Sequence, residues 1–372
     1  MNTYGKTINS LQLESFLEHV FKVNQQAESQ GKQGTPVLIW GKHGVGKTQS
    51  VMDFAKSRNW KIAYCAPAQF EEMGDLHGMP SILDPDSQIQ GDEITVYSPP
   101  TWIPKEEGPG LLILDDINRA DDRMLRGIMQ LLQNFELLSW KLPAKWQIVA
   151  TANPDDGNYS VTSMDDAMLT RLLHVTLEFD VKSWIKWAME NQIDQRGIDF
   201  VSIYPECITG HRTTPRSLVQ FFEQIKTISD LKQEIGLVEI LGHSALDEIT
   251  VATFLGFIND DLTALIKAEE LMNASQWNDV QSKIEKISIG KNSEDRIDRI
   301  STLCMRLYFY LTDPNFEPKE NHKENLVQFL LMEKIPNDLK MSFFMDIQKE
   351  GSPKIKELLK DARLAKLLLG SL

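Results

Sequence analysis

The sequence predicts an α/β fold, with a parallel sheet flanked by helices to about residue 180 and helices alone beyond it. Three observations carry the prediction. Short apolar runs that read as buried strands alternate with helical patterns, the layout of a parallel sheet. The stretch Gly41-Lys42-His43-Gly44-Val45-Gly46-Lys47-Thr48 reads G-x-x-x-x-G-K-T and lies between a strand candidate and a helix candidate. From Val181 onward the apolar spacing turns to the helical period. Together they describe a parallel α/β sheet carrying a phosphate-binding P-loop, followed by helical regions.

Each element has its own warrant. Residues 10–26 place Leu13, Phe16, Leu17, Val20 and Phe21 at helical spacing, with Ser10 as the N-cap candidate. Residues 28–35 are polar with two glycines and read as a loop. Pro36-Val37-Leu38-Ile39-Trp40 is a buried strand, and residues 47–58 are a helix with Val51, Phe54 and Ala55 on one face. Lys61-Ile62-Ala63-Tyr64-Cys65 is the next strand. Residues 67–80 read as a loop. Residues 81–97 read as a hairpin, with turn signals at 84–86 and 90–92. The prolines of residues 98–104 exclude a helix or central strand there.

Leu111-Leu112-Ile113-Leu114-Asp115-Asp116 is a buried strand ending in two carboxylates. Residues 121–138 form a helix with Met124, Leu125, Ile128, Leu131 and Leu132 on one face. Residues 146–152 are a strand stopped at Asn153-Pro154, and residues 174–177 are the last strand. Helices follow over 181–191, 216–228, 246–257, 262–272, 278–287, 294–311, 324–332, 337–348 and 353–369. Pro215 opens the second of them. Pro314, Pro318, Pro336 and Gly351-Ser352-Pro353 read as turns between helices. The expected domains are residues 1–180, 181–244 and 245–372.

Composition narrows the function. The formal net charge is −14 and no basic stripe stands out, so protein partners fit better than nucleic acid. No apolar run approaches the roughly 18 residues of a membrane span. The opening MNTYGKTINS lacks the basic-then-apolar layout of a secretory signal. Three widely spaced cysteines, Cys65, Cys207 and Cys304, indicate a reducing compartment and hence a cytoplasmic protein. His77 and His211 are too isolated to hold a metal, and His43 fills a variable P-loop position.

The P-loop stretch has a direct chemical reading. Its glycines let the backbone turn so that N–H groups face an anion. Lys47 reaches the β- and γ-phosphates, and Thr48 offers a hydroxyl to Mg²⁺. The following helix presents its N-terminus to the phosphates. A second carboxylate-bearing strand completes such a site, with Asp115 on the Mg²⁺ side and Asp116 placed to orient the attacking water. Arg119, Arg123 and Arg126 read as a solvated helix face or a subunit interface.

Lys47-Thr48, the stretch Ile113-Leu114-Asp115-Asp116-Ile117-Asn118-Arg119-Ala120 and Ala150-Thr151-Ala152-Asn153-Pro154 together resemble AAA+ ATPases. The nearest branch is MoxR-like, which includes CbbQ/NorQ-type and dynein-related domains. The run from Asn153 to Arg171, with its aspartates ahead of the arginine, points the same way. The resemblance spans about residues 36–225. It implies ATP and Mg²⁺ as ligands and a homo-oligomeric, hexameric ring acting on a protein client. Its partner is often a von Willebrand factor A domain protein. It implies Asn153 as sensor 1, Arg171 as an arginine finger for the next subunit, and Arg216 as sensor 2 on a helical lid. It also likens Gly74-Asp75-Leu76-His77-Gly78 to a segment facing a pore or substrate.

Two positions depart from the family pattern. Asp116 stands where the family has Glu, one methylene longer, and Leu172 follows Arg171 where the family has Phe. The first keeps open a nucleotide-gated scaffold that binds ATP with little hydrolysis. A nucleic-acid-associated AAA+ motor is the third reading, opposed by the acidic balance.

Overall fold

The computed structural model describes residues 5–83, 94–155, 160–208, 211–259, 266–289, 295–313 and 315–369. The turn signals at 84–86 and 90–92, residues 156–159 of the family-like run, residues 262–265 of an expected helix, Glu294 and Pro314 lie outside the described residues. The chain divides into two compact units, one of residues 1–183 and 214–216, the other of residues 184–213 and 217–372. The expected boundary at residue 245 falls inside the second unit.

The first unit is built on six strands. They are β1 (Lys6–Ile8), β2 (Val37–Trp40), β3 (Lys61–Cys65), β6 (Gly110–Leu114), β9 (Trp146–Ala152) and β10 (Leu173–Leu177). Their order is β1-β10-β2-β9-β6-β3, and every pairing is parallel. Two antiparallel ribbons, β4 (Met79–Leu83) with β5 (Ile94–Ser98) and β7 (Glu136–Leu137) with β8 (Trp140–Lys141), complete the strand list.

Strand alternation explains the continuous apolar runs, because each neighbour points to the opposite face and both faces are covered. Val37, Ile39, Leu111 and Ile113 pack with Leu13, Leu17 and Phe21 of α1 (Ser10–Ser29) and with Val51, Phe54 and Ala55 of α2 (Lys47–Ser57). Leu38, Trp40, Leu112 and Leu114 pack on the other side with Leu76 of α3 (Met73–His77) and Met124, Leu125, Ile128, Leu131 and Leu132 of α4 (Asp122–Asn134). Each fully buried Leu or Ile contributes about 1.5–3 kcal/mol relative to exposure.

Several boundaries differ from the sequence reading. Asn9, not Ser10, caps α1, through a reciprocal pair with Gln12. The loop expected over 67–80 contains α3, which docks so closely that a Cβ on Gly127 would lie 2.5 Å from Leu76 Cδ2. The helix expected to reach Leu138 ends at Asn134, because Phe135 adopts a left-handed φ of 54° and starts the β7–β8 ribbon. The short edge strand β1 was not anticipated.

The remaining helices are α5 (Asp166–Leu169), α6 (Val181–Glu190), α7 (Gln195–Ile203), α8 (Pro215–Ile225), α9 (Ile235–Ala245) and α10 (Glu248–Asn259). Then come α11 (Ala268–Met272), α12 (Trp277–Ile287), α13 (Ile297–Thr312), α14 (Glu320–Leu331), α15 (Asn337–Glu350), α16 (Pro353–Leu358) and α17 (Ala362–Leu369). The second unit has a phenylalanine core in which Phe254 meets Phe200 and Phe221 edge-on, each at 5.0 Å between centroids. Buried Asp199 on α7 accepts from Arg306 Nε on α13 and from Gln195 Nε2, both at 2.9 Å. The helix expected over 353–369 is broken at Asp361, whose carboxylate accepts from the backbone N–H of Arg363 at 2.8 Å. No helix among the described residues is long and apolar enough to cross a membrane.

Candidate active site

β2, β9 and β6 lie side by side, with Trp40 opposite Ala152 and Leu114 opposite Ala150. Parallel strands bring their C-terminal ends to one edge, where open α/β sheets bind ligands. The P-loop follows β2, Asp115 and Asp116 follow β6, and Asn153 follows β9. Adjacency of three strands thus gathers residues more than a hundred positions apart.

Gly44 and Gly46 hold φ of 72° and 98°, and a Cβ on Gly44 would sit 2.7 Å from Thr214 Oγ1. Only glycine meets both demands at Gly44. Gly41 and Gly44 are buried, Val45, Gly46 and Thr48 are half-buried, and Lys42 and His43 are exposed. Lys47 is 6% exposed and its Nζ donates to Gly41 O at 2.7 Å, to Lys42 O at 3.2 Å and to Asn153 Oδ1 at 3.0 Å. Burial lowers the Lys47 ammonium to about 8, against the opposing pull of Asp116 and Asp115. Arg216 and Arg119 push in the same direction as burial.

Asp115 is held by three hydroxyls. Thr48 Oγ1 and Thr151 Oγ1 donate to Oδ1 at 2.5 and 2.7 Å, and Tyr64 OH donates to Oδ2 at 2.9 Å. Burial, then the bond to Asp115, pushes the Tyr64 phenol up to about 12, so it stays a donor at neutral pH. Thr151 Oγ1 also accepts from the backbone N–H of Asp116 at 2.8 Å. Asp116 has a left-handed φ of 50°, and its carboxylate lies 3.8 Å from Arg119. Tyr64, Gln69, Asp115, Asp116, Arg119 and Ser160 line a cleft of about 480 Å³.

Asn153 is clasped from below. Asn118 Nδ2 donates to Asn153 O at 2.8 Å, and Asn153 N donates to Asn118 Oδ1 at 3.1 Å. Both residues are buried. Asn118 itself is fixed by Thr162, whose N–H donates to its carbonyl at 2.7 Å.

The structure therefore brings together Lys47, Thr48, Asp115, Asp116 and Asn153. Exposed Arg216 lies near enough for its charge to act on Lys47. Arg171 stands on the surface after α5, its guanidinium donating to Ala167 O at 2.9 Å. The segment Gly74 to Gly78 belongs to α3 and its turn, with Leu76 in the core. Arg123 and Arg126 make exposed pairs with Asp121 and Asp122. Arg119 differs from them by facing Asp116.

Sequence reasoning missed Tyr64, Thr151 and Asn118 as site residues. Their signal was positional: each sits near or just past the C-terminal end of a strand of the parallel sheet. The donor set fits Mg²⁺, a hard cation that takes oxygen ligands and commonly uses one or two carboxylates with substrate phosphates. Among the described residues, no group of three or more His, Cys, Asp or Glu is placed to hold a metal alone.

Residues 36–172 match the family model of an AAA domain of the dynein-related subfamily. No curated protein matches the chain. Among solved structures, the chain is similar to the RuvB Holliday junction branch migration motor of Thermotoga maritima. Identity there is 14%, with 75% of this chain and 82% of that chain covered at a TM-score of 0.37. A mutant of the same RuvB gives 13% identity, the same coverage and a TM-score of 0.41. NtrX from Brucella abortus gives 15% identity over 57% of this chain and 50% of that one, at a TM-score of 0.34. Sheet, P-loop and family match agree on an AAA+ type of P-loop NTPase fold with a helical C-terminal region.

Proposed function

We propose that this chain is a Mg²⁺-dependent ATPase of the MoxR-like AAA+ branch, working in the cytoplasm as a homo-oligomeric ring of six. Its task on this reading is to remodel or mature a protein client, with a von Willebrand factor A domain protein as partner. The observation that carries the enzymatic part is the bond between Thr48 and Asp115 beside buried Lys47. That juxtaposition puts a cation for phosphate next to an oxygen pair for Mg²⁺.

The P-loop N–H groups and Lys47 bind the β- and γ-phosphates. Thr48 and Asp115 would hold Mg²⁺, which would supply charge neutralisation of the phosphates when bound. Asp116 orients the attacking water from the cleft it shares with Arg119. Asn153, bonded to Lys47, positions the water and the γ-phosphate end of the site. Arg171, exposed on its own subunit, acts on the neighbour's nucleotide. Arg216 senses the phosphates from a helical lid formed by residues 181–244, and residues 245–372 form an all-helical C-terminal region.

The test is ATP turnover by wild type, Lys47→Ala, Arg171→Ala and a mixture of the two variants, with particle mass measured under nucleotide. The proposal expects a multimer that turns over, two inactive variants, and partial recovery on mixing, because each variant supplies what the other lacks. Binding without turnover, restored by Asp116→Glu, would replace it with the nucleotide-gated scaffold.

A further inference from the structure

We infer that Tyr64 is a positioning residue that fixes the plane of the Asp115 carboxylate for the metal. The inference rests on the reading of Thr48 and Asp115 as the Mg²⁺ side of the site. Tyr64 lies on β3, whose register with β6 pairs Tyr64 with Ile113 and Cys65 with Leu114. That register lets the phenol reach past the end of β6 to Asp115 Oδ2 at 2.9 Å.

The geometry gives this bond a separate task. Thr48 and Thr151 both donate to Oδ1 and so anchor one oxygen. The terminal torsion of an aspartate is broad and soft. The carboxylate is a rigid plane, so that torsion moves both oxygens together and a donor on either one narrows it. Tyr64 is the third such restraint and acts on Oδ2, the oxygen that the two threonines leave unengaged. Partners that orient a metal-binding carboxylate commonly change metal affinity 10–100-fold when removed. Tyr64 is 43% exposed and lines the cleft beside Asp116 and Arg119. Removing only its hydroxyl therefore leaves the apolar core untouched.

The experiment is a Mg²⁺ titration of fluorescent ATP-analogue binding to the full chain, with Mn²⁺ binding followed by electron paramagnetic resonance. Wild type, Tyr64→Phe, Asp115→Ala and the double variant are compared. We expect Tyr64→Phe to raise the half-saturating Mg²⁺ and Mn²⁺ concentrations about ten-fold. The melting temperature shows that the variant is folded. In the Asp115→Ala background the Tyr64→Phe change has no further effect on metal dependence, since the carboxylate it orients is gone. A Tyr64→Phe half-point within two-fold of wild type overturns the inference while leaving the ATPase reading intact. So does an equal shift in the Asp115→Ala background. Absence of metal-dependent analogue binding by wild type overturns both.

Discussion

Asn118→Ala is the sharpest probe of how the site is assembled. The substitution removes two hydrogen bonds, at 2.8 and 3.1 Å, between residues that are 2% and 1% exposed. No solvent replaces them. Asn153 is left with a stranded N–H and a carbonyl short of its partner. A buried polar group left unsatisfied costs about 1–3 kcal/mol, so the two together cost roughly 2–6 kcal/mol. For a unit of this size each kcal/mol shifts the melting temperature by about 2–4 °C, which gives a fall of roughly 4–24 °C. Differential scanning calorimetry reads the stability, and hydrogen exchange at the Asn153 amide reads the clasp itself. Nucleotide affinity should fall in parallel, because Asn153 Oδ1 holds Lys47. A melting temperature within 2 °C of wild type, by about the smallest shift that one kcal/mol gives, together with unchanged Asn153 exchange, would refute the reasoning.

Three further outcomes are expected. The free site sheds the Lys47 proton as pH rises through about 8, whereas an ordinary lysine keeps it to 10.5. Anionic phosphates favour the charged form, so nucleotide affinity should fall roughly ten- to twenty-fold from about pH 7.5 to about 9.5, with proton uptake on binding. Calorimetry in buffers of different ionisation heat measures both, and a flat profile would contradict the assignment. Asp199→Ala removes the carboxylate that pairs with Arg306 and should destabilise the second unit by about 3–5 kcal/mol in denaturant unfolding. Gly78→Ala forces a Cβ to 1.8 Å from Ser98 O at a φ of +84°, so it should loosen the α3–β4 junction, visible as faster exchange there.

The parts of the fold legible in the sequence were those where one physical cause dominates. Residues 111–114 and 146–152 are buried on both faces, so their apolar runs are continuous and their strands were placed directly. The edge strand β1 is three residues long and mostly exposed, and leaves no such run. α7 carries buried Asp199, which reads as a break until Arg306, far along the chain, neutralises it. α9 has exposed Leu237 and Ile240 and two glycines, so no clean stripe marks it. The site divides in the same way. Lys47, Thr48 and Asp115 are marked by local spacing, whereas Tyr64 and Thr151 acquire meaning only from which strands are neighbours. Asn118 was read as a family signal, and its clasp on Asn153 is visible only in three dimensions.

The double burial of the central strands also bears on how this protein can change. Within β2, β6 and β9 every residue is buried, so substitution there is constrained by volume. Past the strand ends that constraint lapses. Asp116 is half-buried beside an open cleft, with space on one side. A lineage can therefore exchange Asp116 for the longer glutamate, which on the proposed reading would retune turnover, while the scaffold beneath it stays fixed.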